Sequence, residues 1–234
     1  MEITWYGHSC FRITERGMGT VVCDPYDAAV TGFEPLKLKA DIITSSADSP
    51  NHRHIAAVRG AKADPFVITG PGEYEVNQIF IDGYQDHARQ QHENTVFVIE
   101  MNGIFVAHLG KLDYLPTMSE IESFGTAHIM LVPIGGNGSL NAPQAVELVS
   151  MIKPNIVIPM AYSDPLCKLE LDPLGKFLKE MGISQTEDVM NSFKATNPAN
   201  LPEETRVIIL NHPLSSANDD ESDDPDANEN AAGA

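Results

Sequence analysis

Short apolar runs set the pattern of this chain. Residues 3–6, 10–13, 21–23, 41–44, 66–69, 79–81, 95–100, 104–108, 129–134 and 156–160 are apolar, rich in Ile and Val, and bounded by turn residues. Runs of that length and β-branched content predict strands. Gly7-His8-Ser9 joins the first two runs, and Asn102-Gly103, a strong hairpin signal, joins 95–100 to 104–108. The period then changes. Over 142–151, Ala145, Val146, Leu148, Val149 and Ile152 share one helical face, with Asn141 as N-cap, Pro143 in the first turn and Pro154 as the stop. A second helix is predicted over 173–181, with Leu174, Phe177, Leu178 and Met181 inward and Gly182 ending it. A last strand is predicted over 205–210. Strands crowding the first half, then helix alternating with strand, predict two packed sheets with helices outside.

At 234 residues the chain is long enough for one core that buries roughly 70–75% of the unfolded surface. The hydrophobic fraction of 42% and charged fraction of 21% are those of a globular chain. A formal net charge of -18 with no basic patch argues against nucleic-acid and membrane partners. Seven of the acidic residues, from Asp219 to Glu229, lie in a terminal stretch without Lys or Arg. The expected organisation is a folded domain over 1–213 and a disordered, solubilising acidic tail over 214–234. Cys10, Cys23 and Cys167 are too few and too scattered for a disulfide framework or a C-x-x-C site. The start of the chain carries no signal-peptide pattern, and no apolar run reaches the ~20 residues that span a bilayer, so the expected location is cytoplasmic.

A set of fragments recurs in a telling order: Tyr6-Gly7-His8-Ser9-Cys10-Phe11, Val22-Cys23-Asp24-Pro25-Tyr26, Gly70-Pro71-Gly72-Glu73-Tyr74-Glu75-Val76, Asn94-Thr95, His108-Leu109-Gly110, Val132-Pro133-Ile134-Gly135-Gly136, Lys153-Pro154 with Ile158-Pro159-Met160, and Leu201-Pro202-Glu203-Glu204-Thr205. In that order they resemble the metallo-β-lactamase superfamily, in the bacterial branch similar to ascorbate-6-phosphate lactonases and related zinc hydrolases. The resemblance covers about residues 1 to 210. It implies an α+β, four-layer αββα sandwich (the metallo-β-lactamase fold) with a metal site at the edge between the sheets. It also implies a two-metal centre built largely by an H-x-H-x-D-H loop, which would make a hydroxide nucleophile at neutral pH.

The matching segment here departs from that motif. Ala47 stands at the first histidine, Ser49 at the second, Asn51 at the aspartate, and His52 alone keeps its type. Lys111 replaces the bridging aspartate and Ala161 a further histidine, while His87 lies near the last histidine. Alanine offers no lone pair, neutral oxygens are poor zinc donors and an ammonium is no donor at all. The residual candidates are His52 and His87, and a shifted register would use Asp48, His52 and His54. His8 and Asp24 sit where such folds orient their ligands. Lys111 could supply the missing charge, pairing with Asp24, Asp48 or Asp113. His8, Asp24, Asp48, His54, His108, Asp113 and Tyr162 are therefore cleft candidates, and the Gly135–Gly138 loop lies at the mouth, where its amides could hold an anion. Gly70-Pro71-Gly72 lacks the Lys and helix of a phosphate loop and reads as a tight turn.

The expectation from these departures is a non-catalytic descendant, a pseudoenzyme kept as a binding or assembly module, with no cofactor and no complete metal site. Its competitors are a residual hydrolase of a lactone or phosphoester, metal-free or with one weakly bound zinc, and a sensor of small anions in a cleft lined by His8, Ser49, His52, Lys111 and Tyr162. The ligand is not specified by sequence, and a homo-oligomer or pairing with an active paralogue are both open.

Overall fold

A computed structural model describes residues 1–85, 94–184 and 188–213; the acidic tail and His87 lie outside the described residues. Among the described residues two large sheets dominate. The six-stranded sheet runs in the order Phe193–Lys194, Glu2–Gly7, Cys10–Glu15, Gly19–Cys23, Ile42–Thr44, Phe66–Ile68. The seven-stranded sheet runs Arg206–Val207, Ile156–Met160, Ile129–Pro133, Ile104–His108, Val96–Met101, Ile79–Tyr84, Gly72–Val76. Antiparallel hairpins build the early part of each sheet and parallel pairs the later part. That division follows the connections, since hairpins need only tight turns and parallel neighbours need crossovers.

Period-two alternation sorts the first sheet's side chains between two cores. Phe11, Ile13, Val21, Cys23 and Ile42 face the large core shared with the second sheet, whose strands contribute Ile79, Ile81, Phe97, Ile99, Val106, Leu131 and Ile158. Cys10, Val22 and Ile43 point the other way, into a smaller cluster closed by Tyr26, Phe33, Leu38 and Val58. The central strands Ile129–Pro133 and Ile156–Met160 are buried at every position, so they read as continuous apolar runs. Helix Ala142–Ile152 buries Ala145, Leu148 and Val149, and helix Leu174–Glu180 buries Phe177; both join the large core.

The αββα sandwich expected from the resemblance is the observed fold, with the outer layer over the first sheet reduced to the one-turn helix Ala28–Thr31 and the small parallel pair Leu38–Ala40 with Val58–Gly60. One expectation is corrected and one helix had no counterpart in the sequence reading. The single strand over 205–210 is split: Arg206–Val207 pairs with Ile156–Met160, whereas Ile209–Leu210 pairs with Val189–Met190. A helix at Met118–Phe124 escaped the periodicity reading because it is short and buries only Ile121 and Phe124, although Thr117 and Glu120 form a capping box. No helix of the described residues is long and apolar enough to cross a membrane.

Candidate functional site

The site begins with a buried polar frame at the ends of the strands. The chain leaves strand Gly19–Cys23 at Asp24, whose left-handed backbone (φ 46°) turns its carboxylate back under the loop that follows strand Ile42–Thr44. Asp24 Oδ1 accepts from the Ser46 amide at 2.7 Å and Oδ2 from the Ser46 hydroxyl at 2.6 Å. Ser46 also accepts the Thr95 amide on its carbonyl at 2.8 Å. Next to it, Asn94 donates to the Leu109 carbonyl at 3.0 Å and accepts the Lys111 amide at 2.7 Å. Gly110, at φ 60°, packs so closely on Ser46 and Asn94 that a Cβ there would come within 2.2 Å of Ser46 Cβ. The frame therefore fixes the backbone of Lys111 while leaving its side chain exposed.

In front of this frame lies a cleft of about 130 Å³. His8, Asn51, His52, Lys111 and Ala161, all expected from the sequence, line it. His8 sits in the tight turn between the first two strands at φ 48°, held by Trp5 Nε1 donating to its carbonyl at 2.8 Å. Asn51 Nδ2 donates to His8 Nε2 at 3.0 Å, and the His8 and His52 rings meet edge to face at 5.0 Å. Ser49 Oγ lies 2.9 Å from His52 Nδ1, behind the lining, and Ser9 Oγ 3.5 Å from His52 Nε2. The far wall is the Gly136–Ser139 loop with Leu169 and Leu171. Gly135 anchors that loop: its Cα stands so near the Ala161 carbonyl that a Cβ would lie 2.1 Å from the oxygen.

Several expected residues lie elsewhere. Ala47 is buried off the lining, and Asp48 pairs with Arg53 at 2.8 Å, so neither serves the cleft. His54 stands at the N-cap of the short turn Ile55–Ala57, off the cleft lining, and among the described residues Asp48, His52 and His54 do not converge as a metal-binding group. His108 and Asp24 belong to the frame: His108 Nε2 donates to the Ser9 carbonyl at 2.9 Å and Nδ1 lies 4.0 Å from Asp24. Tyr162 stacks on Trp5 with ring centroids 5.2 Å apart, inside the core. Asp113 does not line the cleft, and Lys111 forms an ion pair with none of Asp24, Asp48 and Asp113. Sequence reasoning missed Ser9, Leu169 and Leu171, which carry no local signal because distant packing brings them here.

Burial, then the Lys111 charge, lowers the His8 pKa from 6.5 to about 4, and burial with the neighbouring His8, His108 and Lys111 charges holds His52 well below 6.5. Both imidazoles are neutral at pH 7. Because folding depresses these values, the unfolded chain binds the additional protons as pH falls. Stability is fully retained above about pH 6.5 and declines through the His8 window from 6.5 to 4. By pH 5, His8 alone removes about 2 kcal/mol. His8→Asn, whose side chain tolerates a left-handed backbone, should lose about 2 kcal/mol less than the wild type between pH 7.5 and 5 in urea titrations. Equal losses in the two proteins would refute the assignment.

The fold implies a dinuclear metal centre, and the donor set here does not fit one. His52 is the single imidazole at the loop positions, and both its nitrogens contact serine hydroxyls. Ala47, Ala161 and the Lys111 ammonium replace three donors. Among the described residues no three His, Cys, Asp or Glu side chains converge as a metal would require.

A two-sheet sandwich with a polar cleft at its strand ends defines a metallo-β-lactamase-type protein. The chain belongs to that superfamily: a beta-lactamase superfamily domain matches residues 2–161. It is similar to a UPF0173 protein of Pyrococcus abyssi, 28% identical over 180 residues that cover 69% of this chain and 83% of the relative. A UPF0173 metal-dependent hydrolase of Thermoplasma acidophilum is 28% identical over 190 residues, covering 70% and 84%. Among solved structures, one described as a candidate zinc-dependent hydrolase of the metallo-beta-lactamase superfamily from Thermotoga maritima is 32% identical with a TM-score of 0.73, covering 90% of this chain and 98% of that one. These findings correct two expectations. Several relatives, the Thermoplasma acidophilum protein among them, are named metal-dependent hydrolases, which overturns the reading of a non-catalytic pseudoenzyme or mere sensor and the reading that no cofactor belongs with this chain. The replaced donors misled because ligand identity speaks to one way of building a centre and not to whether the cleft hydrolyses.

Proposed function

We propose that the chain is a hydrolase that works in this cleft on a small lactone or phosphoester. One observation carries the reading: in a fold whose relatives are named hydrolases, the cleft sets two neutral imidazoles beside a lysine ammonium at the strand ends. Lys111 binds and orients a negatively charged oxygen of the substrate, in a partly dehydrated site where such charge counts for more than in water. His52, kept neutral, has the proton-accepting form at pH 7, whereas the His8 lone pair accepts from the Asn51 amide; an anionic substrate that offsets the Lys111 charge would raise the basicity of His52 toward the working pH. Leu169 and Leu171 limit access of bulk water from the far wall.

The chain's departures at 47, 49, 51, 111 and 161 alter how a metal could be held, so metal enters the test as a variable. Purified full-length protein is assayed on lactones and phosphoesters after chelation and after addition of zinc or manganese. Turnover of at least one class, reduced about tenfold or more by His52→Gln, is expected. No hydrolysis in any metal condition, or activity indifferent to His52, would sink the reading.

A further inference from the structure

Lys111 is an anomaly of charge. The chain holds 33 acidic residues against 15 basic ones, yet among the described residues no carboxylate lies within ion-pair distance of this ammonium. Asp24 bonds to Ser46, Asp48 pairs with Arg53 and Asp172 pairs with Lys176. Its flanking imidazoles, His8 and His52, carry no negative charge in either protonation state and cannot neutralise it. The frame of Asp24, Ser46, Asn94 and Gly110 nevertheless holds its backbone in place beside a cavity.

The opposite wall is complementary. Gly136, Asn137 and Gly138 all have left-handed backbones (φ 64°, 47° and 90°), and a Cβ on Gly138 would lie 3.6 Å from Lys111 Cε. Within this loop the Gly136 amide donates to Leu140 and the Ser139 amide to Gly136. The amides of Asn137 and Gly138 donate to no acceptor among the described residues. Among the described residues, a cation without a counter-ion and two amides without acceptors thus flank a space of about 130 Å³, enough for one small oxyanion group and not for a bulky polymer.

We propose that Lys111 and the Asn137–Gly138 backbone form a binding site for the oxyanion group, phosphate or carboxylate, of a small-molecule substrate. The site deepens the hydrolase reading by naming the substrate class, and rests on that reading for the word substrate. The attraction is a charge-assisted hydrogen bond in a half-enclosed setting, with backbone donors adding direction.

The probes are inorganic phosphate and acetate, titrated into the full chain by calorimetry at constant ionic strength, with the His8 and His52 resonances followed by NMR. Expected is saturable binding of at least one probe, a rise of the His8 pKa from about 4 on binding, a loss of affinity of about tenfold in Lys111→Met, and retention of affinity within a few-fold in Lys111→Arg. A preference for phosphate over acetate would select phosphorylated substrates and the reverse preference carboxylates. No saturation by either anion at tens of millimolar, or equal affinity in wild type and Lys111→Met, would overturn the site. Circular dichroism verifies that Lys111→Met folds, and the wild-type His8 shift tests the site without any variant. Anion binding without hydrolysis of any ester would defeat the hydrolase reading alone; hydrolysis without anion binding would defeat this site alone.

Discussion

Asp24→Ala is expected to destabilise the protein by about 3–5 kcal/mol, the range seen when one member of a buried charged network is removed. Asp24 is fully buried and ties together three pieces of chain: the end of strand Gly19–Cys23, the Ser46 loop, and His108. Burial raises its pKa, while His108 and the two Ser46 hydrogen bonds act against that rise. Alanine would leave the Ser46 amide and hydroxyl without their acceptor, each a buried group that costs free energy when unpaired. It would also carry a Cβ in a left-handed backbone at φ 46°, where aspartate is better tolerated. Asp24→Asn keeps the shape, an acceptor for one Ser46 donor and the backbone tolerance, and should cost less than half as much. Urea unfolding at pH 7 measures both; equal losses in the two variants would show that the carboxylate is not what holds the frame. Because the frame positions Lys111, Asp24→Ala should also weaken phosphate binding under conditions where it remains folded.

Gly110→Ala comes next, at about 3 kcal/mol, combining left-handed strain with overpacking. The new methyl would meet Ser46 Cβ at 2.2 Å, Ser46 Oγ at 2.4 Å and Asn94 Oδ1 at 2.6 Å. None of these can retreat easily, since Ser46 is bound to Asp24 and Asn94 bridges Leu109 and Lys111. For a chain of this size the loss corresponds to a fall in Tm of roughly 6–12 °C. Gly103→Ala is the comparison, because Gly103 also has a positive φ of 73° but meets nothing within 4 Å. It should pay the backbone cost of about 1 kcal/mol and no more. Matching Tm losses in the two variants would remove the close-packing argument.

Much of the architecture was legible locally. The apolar runs that became Glu2–Gly7, Val96–Met101, Ile104–His108, Ile129–Pro133 and Ile156–Met160 announce strands because pairing and burial there are continuous. Helix Ala142–Ile152 was readable down to the Asn141 cap, which accepts the Gln144 amide as a capping box should. The site was legible in part. His8, Asn51, His52, Lys111 and Ala161 do converge, but Tyr162, His54 and Asp48 were drawn away by stacking on Trp5, by a turn and by Arg53. The inference from lost ligands to lost catalysis failed for a different reason, since relatives named hydrolases speak to the family's chemistry where motif residues speak only to its usual apparatus.

Alternation of apolar side chains, turn dipeptides and helix caps act over a few residues, so they are written in the chain and dictate its strands, its long helix and the sorting of Phe11 from Cys10 onto opposite faces. Which side chains share the cleft depended instead on how the ends of separate strands meet. His8, Lys111 and Gly138 lie far apart in sequence and become neighbours only when the two sheets stack, and the absence of a carboxylate beside Lys111 among the described residues emerges from that stacking alone. Electrostatic partnership falls off with distance in space, and distance in space is what a linear pattern of residues does not record.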